Sequence, residues 1–228
     1  MSAHAETDRG ALTDDTPDLE TLSGALRYFF RFAGPKFLTA QMLLALALRP
    51  FFGGVGVWDA AVVAGVLVYW PLQEWFFHWT LLHMKPKKLG PFTLDPYFSR
   101  SHRYHHRHPW RIETAMLPMR VLFTIAPFHL LFWWLVTPSV GVMLTGVAAF
   151  TLATLVYEWT HYLTHTPYRP RGRYYRWIRR NHRMHHFRNE HYWHSFTAPF
   201  LDSMFGTGPE PKDVPRSDTC HDLGVRDD

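Results

Sequence analysis

Residues 121–157 have the sequence VLFTIAPFHLLFWWLVTPSVGVMLTGVAAFTLATLVY, a run of 37 residues without a single Asp, Glu, Lys or Arg. Pro127 and Pro138 divide this run into apolar segments, and about 20 apolar residues are enough to cross a bilayer. The sequence therefore predicts a membrane hairpin. Its clearest helix is expected over residues 138–157, with Thr137 as the cap and Pro138 in the first helical position.

A second apolar block, residues 37–82, lies earlier in the chain, and the two blocks together have room for about four passes of the bilayer. The mean hydropathy of -0.18 is typical of a soluble protein only because it averages these apolar blocks with markedly polar segments. We therefore predict an all-α integral membrane protein with about four transmembrane helices in two hairpins. The apolar segment of residues 37–48 is short and is followed by Arg49. A tilted or partly re-entrant first span is therefore the alternative.

The basic residues are unevenly distributed along the chain. Of the 24 Lys and Arg residues, 23 fall in residues 1–36, 83–120 and 158–228, and the remaining one is Arg49. The positive-inside rule then places both termini and the middle loop in the cytoplasm, where the polar segments form a helical cap. This topology also explains the isoelectric point of about 9.4, so we expect no nucleic-acid partner.

Composition divides the chain into three parts. Residues 1–20 are acidic and polar without the apolar core of a signal peptide, which predicts a disordered tail. Residues 21–207 form the predicted membrane domain. Residues 208–228 are rich in Gly, Pro, Asp and Ser and predict a flexible C-terminal tail, and residues 85–98 are expected to be a loop for the same reason.

Ten of the 16 histidines fall into four clusters between residues 78 and 186. Residues three or four apart on a helix share one face, so each of the last three clusters is predicted to aim its imidazoles at one point. The first cluster has a spacing of five, which needs a helix distortion or two separate metals. The clusters are His78 and His83; His102, His105 and His106; His161 and His165; and His182, His185 and His186.

We predict that all ten histidines are metal ligands and form the catalytic centre. Imidazole suits iron, zinc, copper and nickel, and because one ion takes four to six ligands, ten histidines indicate two metals. The single cysteine, Cys220, excludes an internal disulfide and a four-cysteine cluster within this sequence. Of the other histidines, His108, His191 and His194 are expected at the surface, and His129 in the apolar block is expected to be hydrogen-bonded within the helix bundle.

The two halves of the chain resemble each other. QEWFFHWTLLH at residues 73–83 is similar to YEWTHYLTH at residues 157–165, and HRYHH at 102–106 matches HRMHH at 182–186. The halves are therefore expected to meet around a paired site. Glu74 and Glu158 precede the first histidine of each half by four and three residues. We weigh two roles for them equally: accepting the second ring N–H of a ligand histidine, or forming a helix-end carboxylate at the membrane interface.

This arrangement resembles the fatty acid hydroxylase and sterol desaturase superfamily of membrane oxygenases, most closely its fatty acid 2-hydroxylase branch. The resemblance covers residues 72–207, with all ten expected histidines and with SMFGT at 203–207 similar to the family's closing segment. It implies two transmembrane hairpins below a cytosolic cap that holds two iron ions, for which zinc can substitute in purified protein. The sequence departs from the family pattern around His194 and Ser195.

The resemblance also implies an activity and partners. The implied reaction is dioxygen-dependent hydroxylation of a lipid C–H bond, with a fatty acyl chain oxidised at its 2-position as the first expectation. No cytochrome b5 domain is present in these 228 residues, so a separate electron donor such as a cytochrome b5-like protein or a ferredoxin is expected. A sterol or carotenoid hydroxylase or desaturase is the alternative within the superfamily.

Two non-enzymatic functions compete with this interpretation. A histidine-rich membrane protein could instead bind or transport metal, but transporters place their ligands near mid-bilayer, whereas these histidines lie at the ends of the apolar blocks and in polar segments. A structural zinc protein would need neither a second metal nor access for a lipid. The ligand pattern therefore favours an enzyme.

Overall fold

The computed structural model describes residues 18–225 and is predominantly helical. Residues 1–17 and 226–228, which include most of the predicted disordered tail and the end of the predicted C-terminal tail, lie outside the described residues. The helices are α1 (Leu22–Phe29), α2 (Ala33–Leu48), α3 (Val57–Phe77), α4 (Tyr97–Arg107), α5 (Met119–Val136), α6 (Val140–Thr164), α7 (Arg173–Phe187) and α8 (Phe200–Met204). Short 3-10 turns cover Arg49–Phe52, Ile112–Ala115 and Pro211–Asp213, and a π-helical turn, His78–Leu82, extends α3.

Three helical segments among the described residues are long and apolar enough to cross a membrane: Val57–Leu82, Ile112–Val136 and Val140–Thr164. Helix α2 has only 16 residues, fewer than the usual span of about 20. The described residues thus contain three candidate spans, and a fourth span in the first apolar block, which is interrupted at Arg49, stays a prediction. The membrane hairpin predicted for residues 121–157 corresponds to α5 and α6.

Helix α6 is the central helix of the bundle. It packs against α2, α3 and α5, and its residues Leu144, Val147 and Ala148 form a buried cluster with neighbours from the other helices. The close approach of α5 requires glycine at position 146, because a Cβ atom there would lie 2.4 Å from the Trp133 ring. The helix begins later than predicted: Ser139, not Thr137, is its N-cap and accepts a hydrogen bond from the Val142 amide.

A buried ion pair closes the end of the bundle farthest from the histidine clusters. The Arg49 guanidinium contacts the Asp59 carboxylate at 2.9 Å and also donates to the carbonyl oxygens of Gly53 and Gly54. Thr145 of α6 donates to the same carboxylate. The only basic residue of the first apolar block is therefore fully paired, which offsets part of the cost of burying its charge.

Helices α4 and α7, which carry the HxxHH motifs, lie beyond the membrane-length helices and form the cap with the loops around α8. The segment predicted as a loop, residues 85–98, contains a small antiparallel hairpin of β1 (Lys87–Leu89) and β2 (Phe92–Leu94), so the chain is not strictly all-α. Gly90 has a φ of 61° in its turn, a backbone conformation that glycine adopts without strain. Both strands are exposed, which explains why composition alone suggested a loop.

The C-terminal segment after residue 207 packs against the cap. Val214, Cys220 and Leu223 are buried. Arg188, at the end of α7, donates to the Val214 carbonyl at 2.6 Å, and Asn189 donates to the Pro215 carbonyl. We refer to residues 214–225 as the C-terminal strap. The boundaries of the three predicted parts, 1–20, 21–207 and 208–228, stay a prediction, but residues 214–225 are held by specific contacts where the composition suggested flexibility.

Candidate dimetal site

The first histidine pair lies on a π-helical turn. Residues five apart do not share a face of a regular α-helix, but the turn His78–Leu82 is wound more widely and brings His78 and His83 together, with their rings 4.9 Å apart. The distortion that the spacing of this pair required is therefore present in the structure.

The ten predicted histidines form two groups of five. Within each group, one ring nitrogen from every residue lies within 4.8 Å of the others. Eight of the ten side chains are buried, and His83 and His165 are half-buried. The first group is His78, His83, His102, His106 and His185; the second is His105, His161, His165, His182 and His186.

The two groups share the HxxHH motifs crosswise. In α4 the outer histidines, His102 and His106, join the first group, while the middle one, His105, reaches the second. In α7 the outer pair joins the second group, and the middle histidine, His185, reaches the first. The expectation that each triplet aims at one point is therefore wrong: residues four apart stay together, and the residue between them faces the other group.

Hydrogen bonds to the far side of five rings orient them toward the groups. The Nδ1 atoms of these histidines contact oxygen atoms of the surrounding chain, leaving Nε2 to point inward. The pairs are His78 with the His194 carbonyl (2.5 Å), His105 with the Thr114 hydroxyl (3.0 Å), His106 with the Cys220 carbonyl (2.9 Å), His165 with the Pro109 carbonyl (2.9 Å) and His185 with the Tyr192 carbonyl (2.7 Å).

The inward nitrogens fit a bound cation. A carbonyl accepts only, so Nδ1 of both His106 and His185 must carry the proton, and their Nε2 atoms then face each other at 3.2 Å as two lone pairs. Two imidazole nitrogens bound at right angles to one ion, at about 2.1 Å each, would lie about 3.0 Å apart. The chain therefore presents two nitrogen donor sets that a first-row transition metal satisfies.

Burial keeps these imidazoles in the neutral form that binds metal. Desolvation is the main cause that lowers the pKa of His106 to about 4 and that of His165 to about 3, despite hydrogen bonds to carbonyls that act in the opposite direction. Desolvation also lowers the pKa of His105 and of His185, with neighbouring histidines as the next cause. Protons consequently compete with a metal only under acidic conditions.

Glu74 and Glu158 have different roles from those expected. Glu74 accepts hydrogen bonds from the amides of Phe196 (2.5 Å) and Thr197 (2.8 Å) and from the Thr197 hydroxyl (2.6 Å). Glu158 accepts from the Leu117 amide at 2.9 Å. Both carboxylates are buried, and their contacts fix loop backbone. The hydrogen bonds of the two carboxylates among the described residues go to loop segments and not to a ligand histidine, and their position at the membrane interface stays a prediction.

Two residues of the site were not predicted from the sequence. Phe196 is buried and stacks on His78 with ring centroids 4.7 Å apart, and its ring also lies 4.6 Å from that of His161 and 4.8 Å from that of His182. His194, expected at the surface, is 1% exposed and lies beside the first group. Phe196 therefore touches both histidine groups. The only sequence signal for this loop was the departure from the family pattern around His194.

Histidines 108 and 191 lie outside both groups. The His191 side chain is 69% exposed, as predicted, and His108 is half-buried beside Tyr104. His129 lies in α5, where its ring packs against Phe150.

An apolar cavity of about 300 Å³ lies between the membrane-length helices and the histidine groups. Its inner end is lined by His102, His105 and His161, one residue from the first group and two from the second, together with Phe196. Side chains of α2, α3, α5 and α6 form most of the remaining wall, and residues of the π-helical turn, of α4 and of the segment 114–118 complete it. The cavity is thus an apolar compartment, lined by membrane-length helices, that reaches both candidate metal positions.

Comparison with known proteins agrees with this geometry. A family model described as fatty acid hydroxylase matches residues 63–207. A dihydroceramide fatty acyl 2-hydroxylase, FAH2 of Arabidopsis thaliana, is 27% identical over 149 residues, which cover 65% of this chain and 60% of that protein. The fatty acid 2-hydroxylase of Rattus norvegicus is 26% identical over 147 residues, which cover 64% of this chain and 38% of the relative.

A solved structure of full-length scs7p, in which only the hydroxylase domain is visible, shares the fold with a TM-score of 0.61 at 19% sequence identity. The similarity covers 85% of this chain and 68% of that one. The chain spans less than two thirds of the length of the two relatives described above.

Proposed function

The chain belongs to the fatty acid hydroxylase family, and we propose that it hydroxylates a C–H bond of a membrane lipid, with a fatty acyl chain oxidised next to its carbonyl carbon as the substrate. The observation that carries the proposal is the junction of two five-histidine groups with one end of an apolar cavity. Such a junction suits a chain that enters from the bilayer while its polar end stays near the cap.

The residues fit two redox-active ions, which we propose are iron. When bound, the metal pair supplies dioxygen activation and the removal of hydrogen from an unactivated C–H bond, which no amino-acid side chain can perform. Each group of five imidazoles would hold one of the two ions. In the balanced reaction, one oxygen atom enters the lipid as a hydroxyl group and the other leaves as water, with two electrons from the donor protein and two protons from the solvent.

The protein's own residues bind, orient and exclude water. The carbonyl oxygens behind His78, His106 and His185 hold each ring so that Nε2 faces the site. Phe196 covers the inner end of the cavity between both groups, so the acyl chain rather than water lies against the donor sets. A dry site lengthens the lifetime of reactive species and favours transfer of oxygen to the lipid.

The electrons are proposed to come from a separate protein such as a cytochrome b5-like protein or a ferredoxin. Helix α7 has arginines at positions 173, 176, 179, 180 and 183. Arg173 and Arg176 are exposed, and Arg180 is half-exposed with a partner, Glu210, at 3.3 Å. Helix α7 carries both these arginines and three candidate metal ligands, so an acidic electron donor bound to the arginines would lie close to the metals.

The protein is proposed to span the membrane with both termini, the middle loop and the metal site in the cytoplasm. A cysteine at position 88 in the β-hairpin should then be shielded from an impermeant thiol reagent applied outside, whereas a cysteine at position 55 in the opposite turn should react. Both positions are exposed, and the native Cys220 is buried and should react little. Preferential external labelling at position 88 would reverse this orientation.

The activity itself is tested with labelled dioxygen. Metal-loaded protein in lipid nanodiscs, given a reductase chain and either a free fatty acid or the amide-linked acyl chain of a dihydroceramide, should yield a 2-hydroxylated product carrying one labelled atom. His185→Ala should abolish this product, and His191→Ala, at an exposed histidine outside the groups, should not. Label taken from water, or unsaturation without oxygen incorporation, would overturn the proposed hydroxylation.

A further inference from the structure

Two unpaired polar atoms line the cavity at a distance from the histidine groups. Trp70 Nε1 in α3 and His129 Nε2 in α5 are buried and have no hydrogen-bond partner among the described residues. Both side chains line the cavity, and both rings pack against Phe150, with centroids 4.8 and 4.6 Å from it. A buried polar atom without a partner destabilises the folded protein, so two such atoms on rings that contact the same phenylalanine require an explanation.

Helix geometry gives the distance of this polar pair from the metal site. Trp70 precedes His78 by eight residues, and Phe150 precedes His161 by eleven. At about 1.5 Å per residue, Trp70 lies about 12 Å from His78 along α3, and Phe150, which both rings contact, lies about 17 Å from His161 along α6. The pair is therefore in the membrane part of the cavity, where water is scarce and a protein or ligand partner is expected.

The two atoms differ in hydrogen-bonding chemistry. An indole N–H only donates. The Nε2 atom of a neutral His129 donates or accepts according to the tautomer of the ring. A hydroxyl group can both accept from an indole and donate to an imidazole, whereas a plain hydrocarbon chain can do neither.

We propose that Trp70 and His129 form a recognition site for a hydroxyl group carried on the lipid chain, remote from the carbon that is oxidised. An extended chain advances about 1.2 Å per bond, so about 12–17 Å corresponds to about 10–14 bonds. The placement of the oxidised carbon rests on the proposed function. The substrate class is then an acyl lipid that already has an oxygen substituent near the distal end of its chain, so a hydroxylation or hydration reaction must act on that chain beforehand.

Binding measurements test this inference without turnover. Metal-loaded protein in nanodiscs under anaerobic conditions is titrated with three acyl amides: an unsubstituted chain, a chain with a hydroxyl about 12 bonds from the 2-position, and one with a hydroxyl about five bonds from it. Displacement of a fluorescent acyl chain reports affinity. We expect the lipid with the distal hydroxyl to bind about tenfold more tightly than the other two, which corresponds to about 1.4 kcal/mol.

Variants assign the preference to the two residues. Trp70→Phe and His129→Leu should each reduce the preference, and His129→Gln, which keeps a hydrogen-bonding side chain, should retain part of it. Phe128→Leu, on an exposed position of the same helix, is the matched control and should leave the preference unchanged. Equal binding of all three lipids to the unchanged protein, or a preference that survives both variants, would overturn the inference. Tight binding without hydroxylation would leave it standing and would instead contradict the proposed function.

Discussion

Glu74 is expected to hold the loop that covers the dimetal site, and its removal should loosen that loop measurably. The carboxylate accepts from two backbone amides, the buried amide of Phe196 and the part-buried amide of Thr197. A buried donor that loses its partner costs about 1–3 kcal/mol, so Glu74→Ala should destabilise the closed loop by about 2–6 kcal/mol. Because 1.4 kcal/mol is tenfold, the opening equilibrium should increase by at least about 30-fold.

Hydrogen exchange of the amides of Phe196 and Thr197 measures that opening directly. Glu74→Gln retains an accepting oxygen and should have a smaller effect. Glu113→Ala removes an exposed carboxylate and should change exchange by no more than about twofold, the usual range for surface positions. Unchanged exchange at both amides in Glu74→Ala would refute the assignment of this carboxylate to the loop.

The same variant should weaken metal binding. The His194 carbonyl, which accepts from His78 Nδ1, belongs to the loop that Glu74 holds, and loss of a group that orients a ligand typically costs about 10–100-fold in metal affinity. Competition with a chelator measures this affinity in Glu74→Ala and in the unchanged protein. A loop that opens without any loss of affinity would show that His78 is held independently of it.

Three further predictions concern the metal centre. Elemental analysis should find about two metals per chain, and one metal or none in iron-replete protein would contradict this. His105→Ala and His185→Ala should each lower the metal content, the first at one group and the second at the other, since the two histidines belong to different groups. The free energy of unfolding of the metal-free protein should fall by about 3 kcal/mol from His106 alone as the pH falls from about 6.5 to about 4, because the unfolded chain binds a proton at a higher pH than folded His106 does. Thermal unfolding across this pH range measures the loss, and a stability that does not change with pH would contradict the prediction. Ending the chain at residue 213 removes the Cys220 carbonyl behind His106 and should cost about 10–100-fold in metal affinity, whereas ending it at 225 should not.

The histidine clusters were predictable because their spacings are local, whereas the assignment of each histidine to a group was not. The spacing of three and four residues shows which side chains share a face of α4 or α7. It does not show how the two helices lie relative to each other, and that packing sends His105 and His185 to opposite groups. The π-helical turn is an intermediate case, since the spacing of five required a distortion but did not specify its kind.

The incorrect prediction for His194 has a cause outside its immediate sequence. His194 was expected at the surface, yet its backbone amide donates to Asp202 at 2.8 Å, and this contact with α8 holds the residue inside the cap. The Asp202 carboxyl also accepts from the Ser195 amide and the Thr207 hydroxyl. Burial is the main cause that raises the pKa of Asp202 to about 6. The local sequence pattern around His194 does not indicate that its amide will bind the Asp202 carboxyl, eight residues later in the chain.

The internal repeat extends further than the histidines alone indicated. In each half, an acidic residue about one turn before the first histidine binds the backbone of a distant segment: Glu74 binds the loop of Phe196, and Glu158 binds the amide of Leu117. Phe196 and Leu117 both line the cavity. The two carboxylates therefore perform one structural task twice, fixing a cavity wall to the helix that carries the first ligands. Because the wall and the ligands are fixed to the same helix, the position of a lipid chain in the cavity is tied to the position of the metals.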